Sequence, residues 1–474
     1  MQLPPLSRHP ARLLLLAVLL IGGLRGVEAQ TAPELPPELK QRLAGHLAQT
    51  AAPACAVLPV LADERQGVID GREAAAAIEW LAWHQQLNAY TRADFVSREL
   101  DGRWSDAQHN DYWLRQAREL LRREEFPNTE HALRRLREPL APEQARTRDL
   151  LLGRLRLLQQ RSADALPALQ AVAERRQGDV FERYNLALAM IGDKRSAAQG
   201  RRLLDELSQA PVQTAEEIAL RDRMLLTLGW SWLAAQKGGT ARPFFRRVSL
   251  EGPYSNRALL GLGWAELAPN GYRQYATTVM GFFHEFPFEP EVKGAERFRR
   301  ALKPWQVLTQ RGTQDPAVQE ALLASAYAQQ RLRAWDQAAA AYRHAIQRYE
   351  AEVARLRALE TALRESSGDP RPLVQRLAQP GEFIEAQASA RYARVEDELD
   401  ILHYCEDELA GSVTHPRDTR TAGHQAIFAG ARAAVHDELR RLYLDDLERR
   451  RVRLNTYLAR ALFSLAVLQD RRGS

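Results

Sequence analysis

Cysteine is nearly missing from this chain of 474 residues: there are two, Cys55 and Cys405. They lie in distant segments, so they form neither a Cys-x-x-Cys redox motif nor a zinc-ligand set. The sequence reads them as buried free thiols and leaves pairing open, since spacing cannot show that two Cα atoms come near enough for a bridge. Strand signals are scarce as well. Apolar residues recur at intervals of three and four, with Gly and Pro between the periodic runs, which points to an all-α fold. A Ser-centred nucleophile elbow and a glycine-rich phosphate loop are both lacking, and no pair of carboxylates is placed in a shared cleft. The chain is therefore expected to be no enzyme, with no catalytic residue, no metal and no cofactor.

One-signed charge is also in short supply. The formal net charge is +6, and removing Arg8, Arg12, Arg25 and Glu28 with an N-terminal leader leaves 63 basic and 59 acidic residues. Such a balance does not argue for a nucleic-acid partner, and none is expected. The one long apolar run is Leu13–Leu24, preceded by Arg8 and Arg12 and followed by Val27-Glu28-Ala29. That order reads as a secretory signal over residues 1–29, too short to span a bilayer core of about 30 Å. A mature chain without a transmembrane helix, exported to the periplasm if the source is a Gram-negative bacterium, is the expectation.

What the sequence does contain is a repeat. Leu228-Gly229-Trp230 returns 34 positions later as Leu262-Gly263-Trp264, with Leu225, Leu226, Leu233 and Pro253 matched by Leu259, Leu260, Leu267 and Pro287. A period of this length is the mark of stacked helical hairpins. The best unit supplies Leu225, Leu228-Gly229, Trp232, Ala241, Phe245, Val248 and Pro253. Large and small residues alternate here so that two antiparallel helices can approach closely while bulky side chains fill the groove between them. Leu152-Gly153 with Ala165, Leu169 and Val172 keeps the spacing, as do Leu186-Ala187 and, with two inserted residues, Leu323-Ala324 with Ala338, Tyr342 and Ala345. Trp113, Ala117 and Leu120 look like a degraded first helix. Thr214-Ala-Glu-Glu217 is a capping box that lengthens one first helix by about two turns.

This pattern resembles the tetratricopeptide repeat family over roughly residues 110–350. Departures are Arg156 and Glu266 at the aromatic position of the first helix, Gln177 where a closing proline is due, and residues 290–314, where no repeat fits. The resemblance implies a right-handed α-solenoid that binds a protein or peptide in its concave groove. Residues 30–109 are expected to form a helical cap, since a solenoid's end faces must be shielded from water. Residues 351–474 are expected to form a long antiparallel hairpin appended to the repeats. Its seams are Ala388, Tyr392, Val395, Leu399, Leu402 and Leu409 on one helix and Leu454, Leu458, Ala461, Leu465 and Leu468 on the other. Sustained spacing of this kind suits coiled-coil contact, including association of two copies through the hairpin.

Candidate contact residues follow from the same resemblance. Trp230 and Trp264 sit just after the small residue of the first helix, which commonly lines the inner surface in the family. Phe283, Phe286 and Phe288 belong to the densest aromatic cluster in the chain and are the other partner-binding candidates; core packing is the simpler account of that cluster. The family's carboxylate-clamp positions hold Leu226 and Trp230, Leu260 and Trp264, and Ala321 and Ser325, so that mode is not expected. His403-Tyr404-Cys405-Glu406 is better read as packing than as a metal site, because adjacent helix positions diverge. The function expected is an exported scaffold or adaptor in cell-envelope assembly. The alternatives are a non-catalytic superhelix associated with a cell-wall-processing enzyme, or a coiled-coil oligomer whose repeats are a spacer.

Overall fold

Helices begin where the chain supplies a cap. Asp70 accepts from the backbone N–H groups of Arg72 and Glu73, each at 2.8 Å, and starts the helix Gly71–Gln85. Thr214 and Glu217 close the expected capping box at the head of Ala215–Ala234, whose 20 residues exceed the 13 of the first helices on either side, Val180–Gly192 and Ser255–Leu267. Asp315 caps Pro316–Arg331, with Pro in the first turn where its missing N–H costs nothing. The computed structural model describes residues 34–50, 52–175, 179–268, 294–379, 382–387, 389–412 and 419–473, and among them there is no strand.

The helices pack in succession as hairpins. Asp106–Arg122 pairs with Phe126–Arg134, Pro142–Leu158 with Ser162–Arg175, Val180–Gly192 with Ala197–Ser208, Ala215–Ala234 with Gly238–Arg247, and Pro316–Arg331 with Trp335–Glu365. Four of these turns share a signature absent from the sequence pattern. Glu124, Gln160, Gln236 and Arg333 all have φ near +60° at the middle of a three-residue connection. Glycine notches set the distance between helices. A Cβ at Gly153 would run into Leu169, and Cβ atoms at Gly229 and at Gly261 would both run into the ring of Phe245. Phe245, 3% exposed, is thus wedged between the first helices of two consecutive repeats. Trp305 fills a fourth notch, at Gly263, and comes from Ala295–Thr309, a helix in the stretch where no repeat could be fitted.

The fold is an all-α solenoid of tetratricopeptide-like hairpins ending in a long antiparallel hairpin, Ala390–Ser412 and Thr419–Gly473. At 1.5 Å per residue the 55-residue terminal helix is about 80 Å long. It is not simply appended. Its second half packs antiparallel along Trp335–Glu365, with Tyr349 stacked on Tyr457 and Glu360 near Arg451, and it buries Tyr349, Leu356, Leu363, Leu454, Ala461 and Leu468. Its first half and Ala390–Ser412 reach the N-terminal cap, where Val57, Ile78 and Leu81 share one core with Leu402, Val435 and Leu439. The row of repeats therefore closes on itself, and the shielding that a solenoid end needs comes from the chain's own C-terminal helices.

Two expectations are corrected by this closure. Cys55 and Cys405 are not free thiols: they form a disulfide with Cα atoms 5.7 Å apart across 350 residues of sequence. Association of two copies through the hairpin seam also fails on physical grounds, because Leu399, Leu402, Leu454, Ala461 and Leu468 are buried within one chain. The expected boundaries at 109/110 and 350/351 fall inside Asp106–Arg122 and Trp335–Glu365, two continuous helices. No helix among the described residues is long and apolar enough to cross a membrane.

Candidate functional site

The first helices of the repeats and the terminal helix enclose a cleft of about 890 Å³. Trp230 lies on one wall with Leu250, Pro253 and Leu260; Arg311, Asp315 and Glu320 lie on the next; Arg450, Arg453 and Tyr457 come from the terminal helix. Trp230 is half-buried because it follows the Gly229 notch: its ring leans edge-to-face on Phe245 at 5.6 Å while the rest of it opens on the cleft. Its indole N–H has no hydrogen-bond partner among the described residues.

Trp264 holds the matching place one repeat later but stands behind the cleft wall. Its indole N–H donates to Glu320 Oε1 at 2.7 Å, and its ring meets Trp305 edge-to-face at 5.0 Å. The Tyr457 hydroxyl reaches the other oxygen of Glu320 at 3.5 Å, so this carboxyl ties repeat to terminal helix. Burial pushes the Glu320 carboxyl above its ordinary range, against the two donors that stabilise its charge. Burial and the Glu320 charge push Tyr457 up to about 12.

A raised carboxyl binds its proton more tightly in the folded chain than in the unfolded one, so it subtracts stability as pH rises from its ordinary value near 4.5 through the raised one. Above that window the cost is constant. Glu320→Gln keeps an acceptor for the Trp264 indole and removes the charge. The variant is expected to equal or exceed the parent in urea midpoint at neutral pH and to lose less stability between about pH 4.5 and pH 7. Parallel pH profiles for the two proteins would contradict this account of Glu320.

The arginines of the cleft fall into two groups. Arg450 is held by Asp446 at 2.5 Å, and Arg453 donates to Gln319 at 3.0 Å. Arg311 donates to Ser255 Oγ at 3.0 Å and to Asn256, both neutral, and Arg257 is exposed. Neither Arg257 nor Arg311 has an ion-pair partner among the described residues. Of the nearby acids, Asp315 is engaged as a helix cap and by Asn256, and Glu382 by Arg355. The arrangement can hold an extended ligand with an apolar group on Trp230 and an anionic group at Arg257 and Arg311.

Phe283, Phe286 and Phe288 lie outside the described residues. Trp230 is the sequence candidate that reaches the cleft. Tyr457, Arg311 and Glu320 were missed, and nothing in the local pattern around them could have found them, because they are brought together from segments up to 146 positions apart. No group of three His, Cys, Asp or Glu side chains among the described residues is placed to hold a metal ion, and Tyr404, beside the disulfide, is 65% exposed.

No family model matches this chain, and no curated protein matches it. Among solved structures, the human IFIT1 dimer with PPP-AAAA is similar at 12% identity and a TM-score of 0.27, covering 87% of this chain and 94% of that one. A monomeric IFIT1 mutant with Gppp-AAAA has 12% identity and a TM-score of 0.29, covering 89% and 94%. Likeness at this level is one of helical architecture. The expectation that nucleic acid is excluded as a partner is corrected: these similar structures are complexes with such oligonucleotides.

Proposed function

We propose that this protein is an exported, non-enzymatic helical-repeat adaptor that holds an extended peptide segment of a partner protein in the Trp230 cleft. The observation that carries the reading is the cleft itself, where the half-buried Trp230 ring faces Arg257 and Arg311, two arginines without carboxylate partners among the described residues. Aromatic anchors in a concave site, with charged groups at its edge fixing register, are the usual division of labour in peptide recognition. Glu320 favours a structural role over catalysis, because both its oxygens are directed to donors of the scaffold. The leader over residues 1–29 and the Cys55–Cys405 disulfide support an oxidising compartment, and assembly at a bacterial envelope is the setting proposed.

Selection of a random peptide library on the immobilised protein tests the reading. Enriched peptides are expected to combine an aliphatic or aromatic residue with an acidic one. Trp230→Phe, which removes only the indole N–H and part of the ring, should weaken them severalfold. Arg257→Glu, at an exposed position remote from the core, should weaken them tenfold or more. No enrichment, or enrichment indifferent to both substitutions, would remove this function. A mature N-terminus at Gln30 in the envelope fraction is the matching expectation for export.

A further inference from the structure

A second cleft, of about 850 Å³, lies where the N-terminal cap meets the C-terminal hairpin. It is separate from the Trp230 cleft and shares no lining residue with it. Its long walls are apolar: Ile78 and Ala82 from Gly71–Gln85 face Ile427, Ala431 and Val435 from the terminal helix. Its inner end is polar and carries Arg92 and Arg123.

The two arginines differ in what answers their charge. Arg123 has Glu119 at 2.8 Å and Glu398 at 3.5 Å. Arg92 donates to the carbonyl oxygens of Leu87 at 2.8 Å and Gln85 at 3.2 Å and has no ion-pair partner among the described residues. Two of the three carboxylates lining the cleft are already claimed, and the third, Glu79, is exposed on the wall beside Ile78. Glu398 is shared with Arg394, 2.5 Å away, and Glu438 is bound by Arg394 at 2.5 Å and by Arg391 at 3.4 Å. Carbonyl dipoles, with the Glu398 and Glu125 charges acting without direct contact, are poor compensation for a largely buried cation, which ordinarily has a paired counter-ion. Burial and the neighbouring Arg123 accordingly push the Arg92 guanidinium down from its ordinary range. His84, against which Arg92 also acts, is held neutral, pushed down to about 3 by its burial, so it neither competes for an anion nor supplies a second charge.

We propose that this cleft binds a single-chain amphiphile with an anionic head, the aliphatic chain lying between Ile78 and Ala82 on one side and Ile427, Ala431 and Val435 on the other, and the head paired with Arg92. The volume is in the range of small-ligand sites, which are mostly apolar with a few convergent polar groups. Each methylene taken from water into such walls contributes about 0.8 kcal/mol, so chain length governs affinity and the arginine governs the sign of the head. A free carboxylate and a phosphate monoester share the chemistry required.

Titration calorimetry with dodecanoate, dodecyl phosphate and dodecyltrimethylammonium, each below its micellar concentration, tests the assignment. At least one anionic probe is expected to bind tenfold or more tightly than the cationic one, and the better of the two identifies the head group. Arg92→Gln should abolish that preference while leaving the cationic probe unchanged. Gly430 lies in the cleft wall, and a Cβ there meets nothing within 4 Å. Gly430→Leu therefore fills the cleft without a clash, at a helix position that gains from losing glycine, and should block all three probes. If Arg92→Gln does not fold, Gly430→Leu decides alone. Equal binding of anion and cation, or binding undiminished in Gly430→Leu, overturns the proposal.

Discussion

Gly229→Trp is expected to cost on the order of 3 kcal/mol or more, read as a fall in urea midpoint against the parent. A Cβ at this position would stand 2.5 Å from the Phe245 ring, and that ring has little room to retreat because Gly261 of the next repeat is also packed against its Cε1 and Cζ atoms. Phe245 is 3% exposed and packs with Leu225, Leu228 and Val248 in the repeat core. An indole in the notch must therefore push two consecutive hairpins apart, and a close-packed interior has no void to absorb it. Gly45→Ala is the control: a Cβ there meets nothing within 4 Å, it sits within the helix Pro37–Gln49, and it should stabilise by up to about 1 kcal/mol. A Gly229→Trp protein that unfolds with the parent would show that helix approach in this repeat is not set by the notch.

Cys405→Ser is expected to cost about 3–5 kcal/mol under oxidising conditions, the upper end for a single cross-link. The bridge spans 350 residues, and in the chain-entropy account a cross-link restricts the unfolded state more as the loop it closes lengthens. Three controls separate this from a packing defect at the serine. The parent in dithiothreitol should fall to the level of the variant. Cys55→Ser should match Cys405→Ser, and the double variant should lose nothing further. Loss should also be local at first, with amide exchange rising at the meeting of Pro53–Ala56 and Ala390–Ser412 before the repeats open. Stability unchanged by reduction would mean that the apolar contact of the two ends holds the circuit closed without help.

Much of the architecture was legible because it is local. Leu-Gly pairs 34 apart specify helix approach within a hairpin, Thr214 and Glu217 specify a helix start, and the spacing of Tyr342, Tyr349 and Leu356 specifies a buried stripe. Each signal involves residues a few turns apart, and physics of that range leaves a periodic trace. Even here the trace was partial: residues 290–314 showed no repeat, yet Trp305 fills a repeat notch from that stretch, since a notch accepts any ring that reaches it. The site was far less legible. Trp230 was found from its place after Gly229, whereas Trp264 at the equivalent position donates to Glu320 and turns away from the cleft. Equivalent positions in a repeat differ once the neighbouring element differs.

By itself the amino-acid order determined an all-helical chain, the size and register of its hairpins, and which stripes had to be buried. Only tertiary structure decided what those stripes were buried against. The seam of the terminal helix suited a second copy as well as its own chain, and Trp335–Glu365 took it. Cys55 and Cys405 could have been two thiols, and closure of the circuit made them one bond. The reason is the range of the interactions: periodicity records contacts along a helix face, while the meeting of residues 52–85 with 398–439 is fixed by the sum of many small rotations between successive hairpins, and no single residue carries it.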